Sequence, residues 1–317
     1  MATEISLRVV VNGTDHSFQR ELGCDCGRCL NPSFRGNTSV SLIAVSGYND
    51  LVWHGLIDAG AGVVNNLWDN LHIYRGEPRV DSLFLTHWHP DHTIGLNQLC
   101  ETLRRSRTRL GLSNEPIPLW ARSETMKRVR ERHPFEVERF LRPINDAVDN
   151  KDPGHLLEPL KFSDIRVEVQ PVAISHGTAG PSSTAGFVIT GPTGRRAGLI
   201  WDLDNQNDWV LAPSESTKDA CEALHRLDVL FMDCNTWRVE EVNGRNTGHL
   251  AFERLWRYAK ALRPRETILI HLSGHEDGPG APGWGWSNAE WELAARRHWA
   301  DGPGHVSVLD PGDFRVV

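Results

Sequence analysis

In Thr86-His87-Trp88-His89-Pro90-Asp91-His92, the short apolar run Val80–Thr86 leads directly into His87. A run of that length and composition predicts a buried strand, which puts the cluster at the strand's carboxyl end. Four candidate ligands fall within six residues, in the pattern H-x-H-x-D-H. They converge only on a turn, because one helix face cannot present them all. Neutral imidazoles suit Zn, Fe, Mn or Co, and the carboxylate adds a hard oxygen and a charge. A chance cluster of core histidines is a poor alternative, since burying so many polar rings without partners is costly. The pattern predicts a metal centre.

Outward from this stretch, Glu4–Val11, Ser39–Ser46 and Leu51–Ile57 read as strands. The last ends in Asp58-Ala59-Gly60-Ala61-Gly62, a glycine-rich turn. Ile117–Trp120, Arg166–Ile174, Gly186–Thr190, Gly198–Trp201, Asp228–Met232 and Thr267–His271 read as further strands. Helices are expected at Leu67–Tyr74 and Thr93–Leu103, and at Ser123–Arg132, which Ser123 can cap and Pro134 stops. Another is expected at His249–Leu262, where Leu250, Leu255, Trp256 and Ala259 share one side. Residues 134–160 are charged and broken by Pro143, Pro153 and Pro159, and read as an insertion or lid over a site. Gly274–Trp286 reads as a loop. Strands dominate and no internal repeat is visible, so the expected α/β fold has two sheets with helices outside. A single domain over residues 1–317 is compatible with the length.

A second cluster, Cys24-Asp25-Cys26-Gly27-Arg28-Cys29, lies in a loop over 23–30. C-x-C-x2-C is too tight for comfortable disulfides among its own members. It can wrap three thiolates around one tetrahedral Zn²⁺, with the fourth ligand supplied from elsewhere. The scattered Cys100, Cys221 and Cys234 read as small core residues. The chain is 39% hydrophobic and 24% charged, the composition of a globular protein. Forty-one acidic against 34 basic side chains give a net charge of −7, which argues against a surface that coats nucleic acid. No apolar run approaches the ~20 residues of a membrane span. The amino terminus alternates like a strand and lacks a signal-peptide core, so a cytoplasmic location is expected.

The H-x-H-x-D-H motif of residues 87–92 is one that the metallo-β-lactamase superfamily carries, and the chain resembles that family in order from residue 39 to 275. The resemblance implies an αββα sandwich of two facing mixed sheets with helices outside. It makes His176, in Ile-Ser-His-Gly, a further ligand and Asp202, in Gly-Leu-Ile-Trp-Asp, a carboxylate bridging two metals. His271, in Ile-Leu-Ile-His-Leu-Ser, would be the final ligand, and Asp58 would orient the metal loop. On this mapping His87, His89, His176 and Asp202 hold one divalent metal (Zn, Mn or Fe). Asp91, His92, Asp202 and His271 hold the other.

The cysteine trio makes the chain resemble the PhnP group, phosphodiesterases acting on phosphoribosyl 1,2-cyclic phosphate. In that group the trio and a histidine just past the last active-site ligand hold a structural zinc. Here the candidate is His275, one residue further along than the usual pattern, and His249 is the competitor. The resemblance also assigns His249, 22 residues before His271, to a histidine that faces the substrate phosphate and protonates the leaving oxygen. At the expected start of a helix an imidazole could donate to a bound anion; a capping or core histidine is the alternative. Asp91 would hold the second metal and help orient the nucleophile.

The function so implied is a metal-dependent hydrolase, a phosphodiesterase in which a dimetal-activated water cuts a small cyclic or ribosyl phosphate ester. The alternative on the same fold is a hydrolase of thioester, lactone or amide, or an iron-dependent oxidase. A non-enzymatic binding module would be expected to lack a ligand, and all seven are present. The expected partner is a small anionic molecule, with neither long nucleic acid nor membrane, and the resemblance suggests a homodimer. His16, His54, His72, His133, His155, His225, His298 and His305 have no metal-like neighbours in sequence. Asp204 reads either as orienting a ligand or as a solvated carboxylate. Trp284 and Trp286 read either as a pocket wall or as packing against the sheet.

Overall fold

Ser39–Ser46 alternates Val40, Leu42 and Ala44 with Ile43 and Val45, and all five are buried. A strand apolar on both faces needs a layer packed against each. A computed structural model shows how the chain provides them. It describes residues 4–317 except 18–19, 32–35, 48–49, 71–77, 146–148, 178, 181, 239–240, 243–244 and 247, with backbone alone at 241–242 and 245–246.

The first sheet contains β1 (Ile5–Gly13), β2 (Ser39–Ser46), β3 (Asp50–Ile57), β4 (Ser82–Phe84), β5 (Ile117–Trp120) and β6 (Leu141–Pro143). The second begins with β7 (Leu160–Phe162), β8 (Val167–Ala173), β9 (Ala185–Thr190), β10 (Arg196–Ile200) and β11 (Val229–Asp233). A separate two-stranded ribbon follows, β12 (Glu241–Val242) with β13 (Arg245–Asn246). β14 (Glu266–Ile270) and β15 (His305–Val308) complete the second sheet, and β16 (Phe314–Val316) returns to the first. The strand orders are β16-β1-β2-β3-β4-β5-β6 and β15-β14-β11-β10-β9-β8-β7. β3 to β6 pair in parallel, as do β10, β11, β14 and β15. Parallel pairing brings successive carboxyl ends to one edge of each sheet.

Between the sheets lie Leu7, Val9, Leu42 and Phe84 from one side and Phe187, Leu199, Phe231 and Ile268 from the other. Outside the first sheet, Ile43, Leu56 and Leu83 meet Leu96, Leu99 and Leu103 of helix Leu96–Arg109. Outside the second, Leu230, Met232 and Leu269 meet Leu255, Tyr258 and Leu262 of helix Phe252–Leu262 and Trp291 of helix Asn288–His298. This is the expected αββα sandwich. Among the described residues no helix is long and apolar enough to cross a membrane.

Four local expectations change. The helix expected at Thr93–Leu103 is Leu96–Arg109, and Thr93 instead ends a short turn of helix, Pro90–Thr93. Helix Phe252–Leu262 begins three residues later than the apolar pattern suggested, so His249 lies in the loop before it. The reason is an extended bridge between Thr236 and Ala251, with Asn235 N donating to Leu250 O at 3.1 Å and Phe252 N to Thr236 O at 3.0 Å. Part of the segment read as an insertion, 134–160, is instead sheet edge. Pro134–Arg139 is a helix, β6 pairs with β5, and Gly154 and Leu157 donate backbone hydrogen bonds to β8. The helix expected at Leu67–Tyr74 runs from Val63 to Asp69, entered through Gly62 at φ 85°, and residues 71–74 lie outside the described residues.

Phe187 is fully buried, with its ring 5.9 Å from that of Phe84 and 5.3 Å from that of Trp120. Phe187→Ala should therefore cost about 3–5 kcal/mol of folding free energy, read as a lowered midpoint in chemical denaturation.

Candidate metal centre

The candidate ligands stand just beyond strand ends. Asp58 follows β3, His87 follows β4 by three residues, Asp202 follows β10 by two, and His271 follows β14 at once. Asp58, Asp202 and His271 leave their strands in the left-handed region, at φ 61°, 55° and 62°. Non-glycine residues rarely adopt that conformation, and it persists where the surroundings over-determine the residue.

Asp58 shows what does so. Its carboxylate accepts from Thr86 N at 2.8 Å, Thr86 Oγ1 at 2.7 Å and Trp201 Nε1 at 2.9 Å. Its Oδ2 also lies 2.7 Å from His92 Nδ1. With the Nδ1 proton directed at Asp58, His92 turns Nε2 into the pocket. His176 is set the same way, by Nδ1 at 2.7 Å from Gly248 O. Asp204 is buried and accepts from Ser175 Oγ at 3.1 Å and Gly177 N at 2.8 Å, so it grips the chain on both sides of His176. Gly60 is required where it stands, because a Cβ there would lie 1.8 Å from Asp91 O.

Two donor sets result, His87–His89–His176 and Asp91–His92–Asp202–His271. Asp202 serves both through different oxygens. Its Oδ1 lies 3.9 Å from His87 Nε2 and 3.8 Å from His176 Nε2. Its Oδ2 lies 3.1 Å from His92 Nε2 and 3.4 Å from His271 Nε2. Asp91 Oδ2 is 3.3 Å from His92 Nε2 and 3.7 Å from His271 Nε2, and His176 Nε2 is 3.2 Å from His89 Nδ1. His87 Nε2, His92 Nε2, His271 Nε2 and Asp202 Oδ2 are buried and make no hydrogen bond. So many orphaned polar atoms in one pocket would be costly. Donors held about 2.0–2.2 Å from a shared cation have spacings of this size. The donor set fits two metal cations.

Burial and charge divide the histidines. Burial keeps His87 well below its usual pKa and takes His176 down to about 3. Burial also opposes charge on His92 and His271, but there the carboxylates win. Asp202, Asp91 and Asp58 raise His92 well above its usual value, and Asp202, Asp233 and Asp91 bring His271 up to about 10.

Two further groups complete the pocket and escaped the sequence reading. Asp233 is buried at the end of β11, with Oδ2 3.2 Å from His249 Nδ1 and accepting from Leu203 N at 2.9 Å, and Oδ1 3.7 Å from His271 Nδ1. Its one signal was a carboxylate closing an apolar strand. His16 was expected to have no metal-like neighbours, yet its ring meets those of His249 and His271 edge-on at 4.8 and 5.0 Å. Long-range bonds bring it there, among them His16 N to Leu272 O at 3.1 Å and Asn37 Nδ2 to His16 O at 3.0 Å. His249 Nδ1 is also 3.8 Å from Asp202 Oδ1.

The cysteine loop gathers separately. His275 Nε2 lies 3.5 Å from Cys24 Sγ, 3.4 Å from Cys26 Sγ and 3.4 Å from Cys29 Sγ. Tetrahedral Zn²⁺ with sulfur at about 2.3 Å and nitrogen at about 2.0 Å needs a separation of about 3.5 Å. His275 therefore faces the trio, and His249 belongs to the pocket. Trp286 packs against Trp237 and Trp291 at 5.2 and 5.4 Å, whereas Trp284 stands edge-on to His275 at 5.9 Å.

Residues 55–272 match the family model described as the beta-lactamase superfamily domain. A search of curated proteins gives no significant match. Among solved structures, the metallo-beta-lactamase fold protein YhfI from Bacillus subtilis is 16% identical with a TM-score of 0.66, covering 98% of this chain and 100% of that one. A diphosphatase from the PhnP family is 18% identical with a TM-score of 0.64, over 99% and 98% of the two chains. Zn²⁺-bound PqqB from Methylobacterium extorquens is 15% identical with a TM-score of 0.64, over 97% and 99%. At these identities the likeness is one of fold.

The split in protonation has a measurable consequence. His92 and His271 are charged in the metal-free pocket at neutral pH and must lose their protons to bind a cation, while His87 and His176 are already neutral. Calorimetric metal titrations in buffers of different ionisation enthalpy should show proton release on filling the His271 set, with affinity falling from about pH 8 to about pH 6. Filling the His87 set should release far fewer protons.

Proposed function

The chain belongs to the β-lactamase superfamily, and on that premise we propose that it is a metal-dependent hydrolase, a phosphodiesterase acting on a small anionic phosphate ester. The observation that carries this reading is Asp202, one buried carboxylate whose two oxygens face two different donor sets. In this reading His87, His89, His176 and Asp202 Oδ1 hold one divalent cation, and Asp91, His92, His271 and Asp202 Oδ2 hold the other. The metals are zinc, manganese or iron, and Cys24, Cys26, Cys29 and His275 hold a structural zinc. When bound, a pair of such cations supplies Lewis-acid polarisation of a substrate oxygen and a water acidic enough to attack near neutral pH.

The remaining work falls to side chains. Asp233 takes the Nδ1 side of His249, so a proton added to the ring resides on Nε2, where a departing alkoxide can receive it. Asp233 also keeps that ring oriented. His16 walls the same side of the pocket and limits water there.

Beside the first donor set, Trp88 stands 4.5 Å from the His89 ring, and its indole N–H donates to Ala179 O at 2.9 Å. Arg132 lies over the Trp88 ring at 4.3 Å, and among the described residues no carboxylate ion-pairs with it. A cation held over the ring that packs on His89, in a chain of net charge −7, supports an anionic substrate. Thiols able to hold zinc also suit the reducing cytoplasm, which is where this reading places the enzyme.

The metal-loaded protein should hydrolyse a bis-aryl phosphodiester, and Asp202→Ala should lose turnover and pocket metal together. His249→Ala should lower kcat by about 10²–10⁴ on alkyl esters. It should cost much less with a nitrophenyl leaving group, which departs without a proton. Wild-type protein inert towards phosphodiesters but active on thioester or lactone probes would sink the phosphodiesterase reading.

A further inference from the structure

The cysteine loop and the pocket are joined by one buried ion pair. Arg28, between Cys26 and Cys29, is 3% exposed and turns its guanidinium inward. Nη2 donates to Asp15 Oδ1 at 2.6 Å and to Leu272 O at 3.1 Å, and Nη1 donates to Trp286 O at 3.1 Å. The chain makes room for it at Gly274, where a Cβ would lie 2.3 Å from Arg28 Cδ. Its own amide donates to Gly285 O at 3.2 Å, so side chain and backbone both grip the loop that follows His271.

The two groups that Arg28 holds lead straight into the pocket. Leu272 is the residue after His271, and Asp15 is the residue before His16. Asp15 and Leu272 form a parallel bridge, with Leu272 N donating to Thr14 O at 2.9 Å and His16 N to Leu272 O at 3.1 Å. His16 in turn rests edge-on against His249 and His271. One guanidinium thus sets the backbone behind His271 and the segment that presses His16 against two pocket rings. The other donor set is oriented by different groups: His87 by its neighbour Thr86, and His176 by Gly248 and Asp204.

The far end of this linkage has little stability of its own. The cysteine loop contains one four-residue helix, Gly27–Leu30, too short to persist without tertiary support. Cys24, Cys26, Cys29 and His275 gather around one point there, so an ion bound among them would tie the loop at four places.

We propose that Arg28 is a positioning residue: through Asp15 and Leu272 it makes the geometry of the His271 donor set, and of His16 and His249 beside it, depend on occupancy of the cysteine site. The inference rests on the reading of the pocket as a two-metal site and is independent of phosphodiester chemistry.

Removing Arg28 alone would take the guanidinium from the buried Asp15 carboxylate, a strongly destabilising change. The informative variant is therefore Asp15→Leu with Arg28→Met, which replaces both charges by apolar groups and often preserves folding. Crystals soaked in graded cobalt(II) would report occupancy at each position by anomalous scattering, without any activity assay. The cysteine site should still fill. Apparent affinity at the His271 set should fall by about ten- to a hundredfold, as when groups that orient ligands are lost, while the His87 set stays within about twofold. Cys26→Ser, which weakens the cysteine site itself, should produce the same selective loss.

Should the double variant fail to fold, Arg28→Lys is read in the same way. Lysine keeps a charge for Asp15 but cannot serve Leu272 O and Trp286 O together, so a smaller loss confined to the His271 set is expected. Equal loss at both sets, or none at either, overturns the proposal. Failure of the phosphodiesterase reading would appear separately, as wild-type protein that binds metal and leaves phosphodiesters intact.

Discussion

The carboxylate of Asp202 is buried among histidine rings, with Oδ1 towards His87 and His176 and Oδ2 towards His92 and His271, and the rest of the pocket is arranged around that constraint. A buried anion is tolerated only when opposite charge or coordination compensates it. In the bare protein His92 and His271 do this as imidazolium ions, at 3.1 and 3.4 Å. These are the atoms a cation would take over. Protons and metal thus compete for one electrostatic task.

The fold's contribution is to bring two sheets' worth of strand ends to one place and hold them there. His87, His89, Asp91 and His92 come from the first sheet, and His176, Asp202 and His271 come from the second. Asp58 ties the halves together, since it belongs to the first sheet yet accepts a hydrogen bond from Trp201 at the end of β10 in the second. The same carboxylate sets Thr86 and His92. One residue that faces no cation therefore fixes both the seam between the sheets and the aim of a ligand. That explains why it sits fully buried in a conformation uncommon for aspartate.

What could be read from the sequence follows the range of the interactions involved. H-x-H-x-D-H and C-x-C-x2-C are local, and the structure gathers each as spacing suggested. Ser39–Ser46 and Ile117–Trp120 have the limits their apolar runs predicted, and helix Ser123–Arg132 stops before Pro134 as expected, although Arg122 and not Ser123 occupies its N-cap position. β6 is three residues long, too short to show a period, which is one reason 134–160 reads as an insertion. The start of helix Phe252–Leu262 was misplaced because residue 251 is committed to a bridge with residue 236, which no helical pattern records. His16 and Asp233 escaped for the same reason. Neither lies in a motif, and each becomes part of the pocket only through pairing with residues far along the chain.

This difference in range bears on how the site is built. Motif residues supply donor atoms, but a donor is useful only when its ring or carboxylate is already aimed, and aiming falls to groups scattered through the chain. Asp58 aims His92, Asp204 grips the turn that carries His176, and Asp233 contacts both His249 and His271. Each is a buried carboxylate taking protons from backbone or ring nitrogens, the charge-assisted kind of bond that costs most to lose. Ligand identity and ligand aim are thus separable in this chain. The first is written in short motifs, and the second is distributed over three acidic residues in three different loops or strand ends. A sequence sharing only the motifs would hold the same atoms without the geometry that makes them a site.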